Sequence, residues 1–490
     1  MITQVIFDWA KRTPDKTAVI YNDRAWSYRA FADLIAVARG YFARRGYVGP
    51  GYVALAVRNL MRFWIYSLAL RSLGLTTVVV PSAAELDKLG LPNIRCVITG
   101  SDDVFAALQG QCAELGLPLL LVSLAGETAL PLEASEAPQA SGGHIVLTSG
   151  TTGVSKKVLM SSANDAVQLP RRAETFGLTQ DSVVSVFEAA PSTGAGHKWP
   201  ASTWLAGGAV VMEQGREAYL GLLHPGITHA VLTPASLAGI LAAPAGAFPC
   251  RDAMQLVVTS GAMTRTQVDQ AKARITPRLF SWLTSTEAGG IALTRLDTPE
   301  DQKWHRLVPG RVVEIVDESD RPVAAGEIGR VRVGTAGGPT GYLYDEATTR
   351  TFFRNGFFYP GDLAVIRSDG RLALQGRVTD IINVGGHKVP PAPIEDRLTE
   401  LFGVNAICLF SMQNDAGEEE IHVVVETPAP IDSKRLIAAI DQELHGSYGV
   451  RVHCVAALPR NRLGKVLRQE VRAQASAGQR PLARMDLPRV

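Results

Sequence analysis

The sequence predicts an α/β protein: a large N-terminal domain of helix-covered, mostly parallel sheets with a small antiparallel β subdomain, then a small α+β C-terminal domain. Three observations lead there. Short apolar runs alternate with segments of helical spacing through the first half of the chain. From about Gly310 the texture changes to short strands joined by turn residues, and a new βα pattern begins after Gly376. At 490 residues the chain is also too long for one ordinary core and suits two or three domains.

Residues 26–42 read as a helix because Phe31, Leu34, Ile35, Ala38 and Phe42 recur at helical spacing. The run 53–57 reads as a buried strand, and Phe63, Tyr66, Leu70 and Leu73 mark the next helix. Further strands are expected at 78–80, 97–99, 119–122, 145–148, 183–187, 209–212, 230–233 and 256–259. Strand–helix alternation of this kind argues for a parallel sheet clothed by helices. Short strands at 312–316, 329–333, 364–367 and 371–374, with the turn Ser368-Asp369-Gly370, suggest the antiparallel sheet. Strands at 406–410, 421–426 and 450–455 and a helix from Ser433 to about Leu444 complete the pattern. The boundary is expected near Arg377–Asp380, dividing the chain into 1–376 and 377–490, with a loosely held tail from Ala473.

Bulk properties exclude several classes. Hydrophobic residues make up 46% and charged residues 20%, as in ordinary globular proteins, and the net charge of +2 offers no basic field for nucleic acid or an acidic membrane. The cysteines at 96, 112, 250, 408 and 454 lack zinc-site or disulfide-framework spacing. The N-terminal residues show no signal-peptide core, and the apolar stretch 63–80 is interrupted by Arg71. The expectation is a cytoplasmic protein without nucleic-acid or membrane partners.

The most informative segment runs from His144 to Lys156, a buried strand leading into glycines and hydroxyls and ending in lysine. Gly150 and Gly153 let backbone N–H groups converge on an anion. Thr148, Ser149, Thr151 and Thr152 add donors, and Lys156 adds a mobile charge suited to phosphate oxygens. The lysine spacing, and the missing Ser or Thr after it, exclude a Walker loop. The order TSGTTG-x-x-K resembles the phosphate loop of the adenylate-forming superfamily, which includes acyl- and aryl-CoA synthetases, luciferases and peptide-synthetase adenylation domains. Ser155 stands where that family usually has proline.

The resemblance spans nearly the whole chain, from the Trp26 region to Leu467. Thr286-Glu287 looks like the family's threonine–glutamate pair, whose carboxylate would hold Mg²⁺ against ATP phosphates; read alone, the two would equally cap a helix. Leu283 and Thr284 replace the family's usual aromatic and glycine there. Ser260-Gly261-Ala262 resembles the segment flanking adenine, and Tyr359-Pro-Gly-Asp362 the segment whose aspartate binds the ribose hydroxyls. The run from Gly376 to Glu395 resembles the hinge and first hairpin of a mobile C-terminal domain. The resemblance implies that Arg377 reaches the ribose and phosphate, that Thr379 is the hinge residue, and that Gly385, Gly386 and His387 approach the pantetheine of coenzyme A. Pro459 to Arg468 resembles the C-terminal lysine segment, in which Lys465 would bridge the substrate carboxylate and the α-phosphate.

The resemblance further implies attack of a carboxylate on the α-phosphorus of ATP, release of pyrophosphate, and transfer of the acyl group from acyl-AMP to a thiol. Lys156, Thr286, Glu287 and Lys465 would carry the charge stabilisation, with ATP, Mg²⁺ and coenzyme A as cosubstrates and cofactor. Ser192, His197, Trp199, Trp282 and Leu283 stand in the region that borders the acyl group in relatives. With Lys198, the histidine and tryptophans could line a pocket for an aromatic or polar acid; the tryptophans would serve equally as core and His197 as a capped loop residue. Gly194 falls near the place of the aspartate that peptide-synthetase domains use for an α-amino group, which argues against an amino-acid substrate. The first expectation is an acid–CoA ligase acting on a small-molecule carboxylic acid. The alternatives are an enzyme loading a carrier protein and, from another class, a degenerate homologue that binds nucleotide or acyl-adenylate without turnover. Relatives also suggest a homodimer.

Overall fold

The computed structural model describes the chain except residues 1, 81, 133–141, 149–154, 187–191, 216, 385–386, 414–418, 445, 447–448, 461–465 and 477–490. Two compact units divide it. One comprises 1–302, 308–311 and 333–358; the other comprises 303–307, 312–332 and 359–490. The small antiparallel strands expected with the large domain therefore group mostly with the C-terminal part of the chain. The boundary expected at 376/377 rests on the βα pattern that begins after Gly376 and on the hinge resemblance.

The first unit holds two sheets. Across the larger, the order is Gly289–Arg295, Leu279–Ser285, Gln255–Thr259, His229–Leu232, Val183–Val186, Ala209–Met212, Thr17–Tyr21 and Arg24–Ser27. Its inner pairings are parallel and its two outermost pairings are antiparallel hairpins. In the second sheet the order is Leu119–Leu121, Ile94–Thr99, Tyr52–Ala56, Thr76–Val79, His144–Thr148 and Lys156–Met160. Only the last pairing is antiparallel. These strands read as near-continuous apolar runs because helices cover both faces.

The helix expected over 26–42 begins two residues later, at Tyr28, and runs to Arg44. Residues 24–27 form the second arm of a hairpin turned at Asn22 and Asp23, both at positive φ. Ser27 then caps the helix by accepting from the Ala30 N–H at 3.2 Å.

Helix Gly194–Leu205 lies inside the first unit, with every residue from Gly196 to Trp204 buried. Its Trp204 donates through Nε1 to the Ala18 carbonyl at 2.9 Å, tying it to the parallel sheet. Beside it lies helix Ser162–Phe176, started by a reciprocal Ser161–Asn164 capping box and ended by Gly177 in the left-handed conformation. Between them sits a buried ion pair. Asp165 accepts from Arg71 Nη2 at 2.7 Å, and His197 Nε2 lies 3.6 Å from its other oxygen. Burial opposes the Asp165 charge, but His197 and Arg71 outweigh it and hold the carboxyl well below the usual range.

In the second unit, Asp362–Ile366 pairs antiparallel with both Arg371–Arg377 and the strand Gly329–Gly334. Ala406–Gln413 and Glu419–Glu426 run antiparallel, and Val450–Val455 lies parallel to the latter. Helices Ala392–Phe402 and Ser433–Leu444 supply Ile394, Leu398, Leu436 and Ile440 to a core with Leu409, Ile421 and Val423.

Among the described residues no helix is long and apolar enough to cross a membrane. Asp165→Asn should destabilise the protein by about 3–5 kcal/mol, because Arg71 is left buried without its counter-charge. The carboxylate's contribution is present above its unfolded pKa and lost as pH falls through the lower folded one. Thermal melts should therefore show the deficit at neutral pH and its shrinkage below about pH 4.

Candidate active site

In the first unit, the strands His144–Thr148 and Lys156–Met160 pair with Thr148 opposite Lys156. The two residues thus bracket the glycine- and hydroxyl-rich connection. Ser149, Gly150, Thr151, Thr152 and Gly153 lie outside the described residues. The Leu147 N–H donates to the Ser192 carbonyl at 3.2 Å, bringing the start of the connection beside the segment that leads into helix Gly194–Leu205. Lys156 Nζ sits 3.5 Å from the Phe352 ring centroid and 5.1 Å from that of Tyr342. Aromatic faces hold the ammonium there without neutralising it.

Thr286 and Glu287 do not start a helix. They occupy the turn between strands Leu279–Ser285 and Gly289–Arg295, closed by the Ala288 N–H donating to Ser285 Oγ at 2.8 Å and by Gly289 at φ +75°. Glu287 is 7% exposed, and its Oε1 accepts from the Tyr342 hydroxyl at 2.9 Å. Tyr342 therefore touches both charged residues, its ring under Lys156 and its hydroxyl on Glu287. The contact joins residues far apart in the chain. Arg311 donates to the Ala288 carbonyl in the same turn.

Gly194 abuts Thr286 so closely that a Cβ there would stand 2.9 Å from Thr286 Oγ1. One turn along the same helix, Lys198 Nζ donates to the Thr286 carbonyl at 3.0 Å. Lys198 is 2% exposed, and burial, with Arg172 pushing the same way, pulls its ammonium down to about 7. The sequence offers Lys198 only as a residue that could line a pocket; its burial and its tie to the Thr286 turn come from packing. Of the residues expected to border the acyl group, His197 is stacked between His144 and Trp64 at 4.8 and 5.9 Å. Trp199 and Trp282 pack on Phe176 at 4.4 and 4.9 Å. All three are buried. Ser192 and Leu283 are half-buried. Ser260, at φ +72°, opens the turn Ser260-Gly261-Ala262 immediately after strand Gln255–Thr259.

In the second unit, Asp362 and Arg377 are direct cross-strand partners. Arg377 Nη1 donates to Asp362 Oδ1 at 2.6 Å and to the Pro360 carbonyl at 2.9 Å. Gly361, at φ +82°, makes the bend that exposes this pair. Thr379 is exposed in a short 3₁₀ turn, its hydroxyl on Asp380 at 3.2 Å. Strands Ile382–Val384 and His387–Val389 pair around 385–386, which lie outside the described residues together with Lys465. The chain flanking Lys465 is pinned by an antiparallel bridge between Arg460 and Val466 and by the Leu467 N–H on the Pro459 carbonyl at 2.8 Å. Arg468 is held by Glu395 at 2.8 Å, Asp380 at 3.4 Å and the Leu409 carbonyl. Burial opposes its charge, but the Glu395 hydrogen bonds outweigh it and raise its pKa.

A model of the family described as AMP-binding enzyme matches residues 6–343, more than half of the chain. The chain belongs to that family. This AMP-binding enzyme is 27% identical to a salicylyl-CoA synthase / salicylate adenylyltransferase of Streptomyces sp, over 96% of this chain and 94% of that one. It is 24% identical to the 2,3-dihydroxybenzoate-AMP ligase of Bacillus subtilis (strain 168), over 96% and 92%. In fold it resembles ATP-bound MatB from Rhodopseudomonas palustris, with TM-score 0.81 and 19% identity over 97% of this chain and 99% of that one. It also resembles the AMP complex of the O-succinylbenzoate coenzyme A synthetase MenE from Bacillus subtilis, with TM-score 0.80 and 19% identity over 95% and 97%. The fold is that of adenylate-forming enzymes, with a large N-terminal and a small C-terminal domain.

A buried lysine with a depressed pKa lowers stability most where the folded protein must carry its charge, below about pH 7. Wild-type stability on this account rises between pH 7 and the unfolded value near 10.4. Lys198→Met should therefore melt higher than wild type at pH 6, by roughly 1–4 kcal/mol. Melts across the alkaline range should show the margin closing towards pH 10.

Proposed function

We infer that this adenylate-forming ligase activates an aromatic carboxylic acid as its acyl-AMP and passes the acyl group to the thiol of coenzyme A. The observation that carries this reading is the pairing of Lys156 and Glu287 through Tyr342, in a chain matched almost end to end by aryl-acid-activating relatives.

Two negatively charged reactants must meet, so positioning and charge stabilisation carry the rate. Lys156, beside the phosphate-loop connection, would meet the phosphate oxygens as they separate. Glu287 fits a magnesium site, because that ion takes one or two carboxylates together with substrate phosphates, and the Tyr342 hydroxyl already orients this carboxylate. When bound, the ion would offset phosphate charge. Asp362, steered by Arg377, would accept from both ribose hydroxyls. Ser260, Gly261 and Ala262 would flank adenine. Lys465 would bridge the acid's carboxylate and the α-phosphate during attack. The part from 377 onward would then turn about Thr379, withdrawing Lys465 and presenting Gly385, Gly386 and His387 to the pantetheine arm. The five unpaired cysteines suit a reducing cytosol.

The test is pyrophosphate release with aromatic, aliphatic and amino acids, with and without coenzyme A. Release from an aryl acid with consumption of coenzyme A is expected. Release without that consumption would transfer the second step to a carrier protein, and silence across the panel would leave a nucleotide-binding homologue. Lys465→Ala should slow adenylation about 10²–10³-fold while sparing thioester formation from supplied acyl-AMP. Equal losses in both half-reactions would remove Lys465 from its assigned role.

A further inference from the structure

Three hydrogen-bond donors in one part of the first unit lie buried without acceptors: Arg172 Nε, Trp199 Nε1 and Trp282 Nε1. They belong to a single contact cluster, since the Arg172 guanidinium stands 5.2 Å from the Trp199 ring centroid and 5.9 Å from that of Trp282. Arg172 is 7% exposed, Trp199 0% and Trp282 4%. Lys198, next to Trp199 and 2% exposed, repels Arg172 electrostatically and donates to a neutral partner, the Thr286 carbonyl. The neighbouring carboxylates are already engaged, Asp165 by Arg71 and Glu287 by Tyr342. Arg172 Nε and two indole N–H groups thus lie buried near Lys198 with no acceptor among the described residues. An arrangement of this kind is costly unless something anionic completes it.

We propose that the acid substrate carries a second carboxylate, received by Arg172 and Lys198 with the indole N–H groups of Trp199 and Trp282. This rests on the acid-activating reading above and narrows it. The donor chemistry selects the group. A guanidinium fork matches a carboxylate, whose two oxygens offer about four lone-pair sites to the several donors present. A phenol stays neutral below about pH 10 and would leave the Arg172 charge uncompensated. The position also fits: Lys198 is anchored on the carbonyl of the residue preceding Glu287, so the second carboxylate would be held beside the turn that serves the reacting one.

The experiment compares wild-type pyrophosphate exchange with aromatic and aliphatic dicarboxylic acids, the monomethyl ester of each, benzoate and hydroxybenzoates. The expected result is one diacid favoured over its monomethyl ester by about 10²-fold or more in kcat/KM, as for a site that loses a designed polar contact. Arg172→Met and Lys198→Met should each shrink that preference to a few-fold through KM for the acid, with KM for ATP unchanged. Benzoate, a hydroxybenzoate or an ester used as well as every diacid would overturn the proposal while leaving acid activation intact. The wild-type comparison stands whether or not the variants fold. Were exchange absent with every acid, tryptophan fluorescence of the wild type would decide. Saturable quenching by a diacid and not by its ester would uphold the second-carboxylate site, and no quenching by any diacid would sink it.

Discussion

Helix Gly194–Leu205 sets the terms for the large unit, because it is buried along its length and yet carries a histidine and a lysine. A helix buried all round must find every polar partner within the protein. Thr193 caps its first turn by accepting from the Gly196 N–H at 3.0 Å, and Trp204 fixes its far end to the sheet. His197 is sandwiched between aromatic rings beside an aspartate that Arg71 keeps ionised. Lys198 is left to reach the Thr286 carbonyl. The glycine at the helix start is required by contact, since Thr286 occupies the space a side chain would need. One helix therefore fixes the spacing between the phosphate-loop strands and the Thr286–Glu287 turn.

That arrangement trades stability for chemistry. Buried lysine and arginine without carboxylate partners weaken a core, and apolar replacements of similar size would strengthen it. Their persistence beside the turn that holds Glu287 is understandable if the ligand supplies the missing charge. The second unit treats its charges differently. Asp362 and Arg377 face each other across two strands, and Arg468 is paired with the carboxylates of Glu395 and Asp380 and with a backbone carbonyl. There the charged groups are paired within the protein, and they brace the segments on either side of Thr379 and the approach to Lys465.

Much of the fold is legible in the sequence because buried parallel strands leave an apolar signature that needs no partner to recognise. The strands expected at 53–57, 97–99, 145–148, 209–212 and 256–259 are found for that reason, the first at Tyr52–Ala56. Boundaries move where a local hydrogen bond decides them, as at Ser27, where residues expected in the helix pair instead as a hairpin arm. Thr286–Glu287 is ambiguous by itself because threonine and glutamate suit a helix start as well as a turn; the strand pairing of 279–285 with 289–295 removes the helix. Arg172 carries no local mark of a site, and the contacts of Tyr342 and Arg172 reach across long stretches of sequence. Lys198 is legible as a residue near the acyl region, whereas its hold on the Thr286 carbonyl is not.

The sequence by itself determined the class of fold and the membership of the adenylate-forming family, and it nominated the residues proposed to meet phosphate, ribose and metal. These are properties of local order: glycines, hydroxyls and a lysine at fixed spacing, and apolar runs of fixed period. Only the tertiary structure decided which charges are paired and which are left over. Pairing depends on burial and on distances between helices and turns that lie far apart in the chain, and no spacing rule encodes it. The acceptor-free cluster of Arg172, Trp199 and Trp282 beside Lys198 exists only once helices 162–176 and 194–205 pack against the strand 279–285.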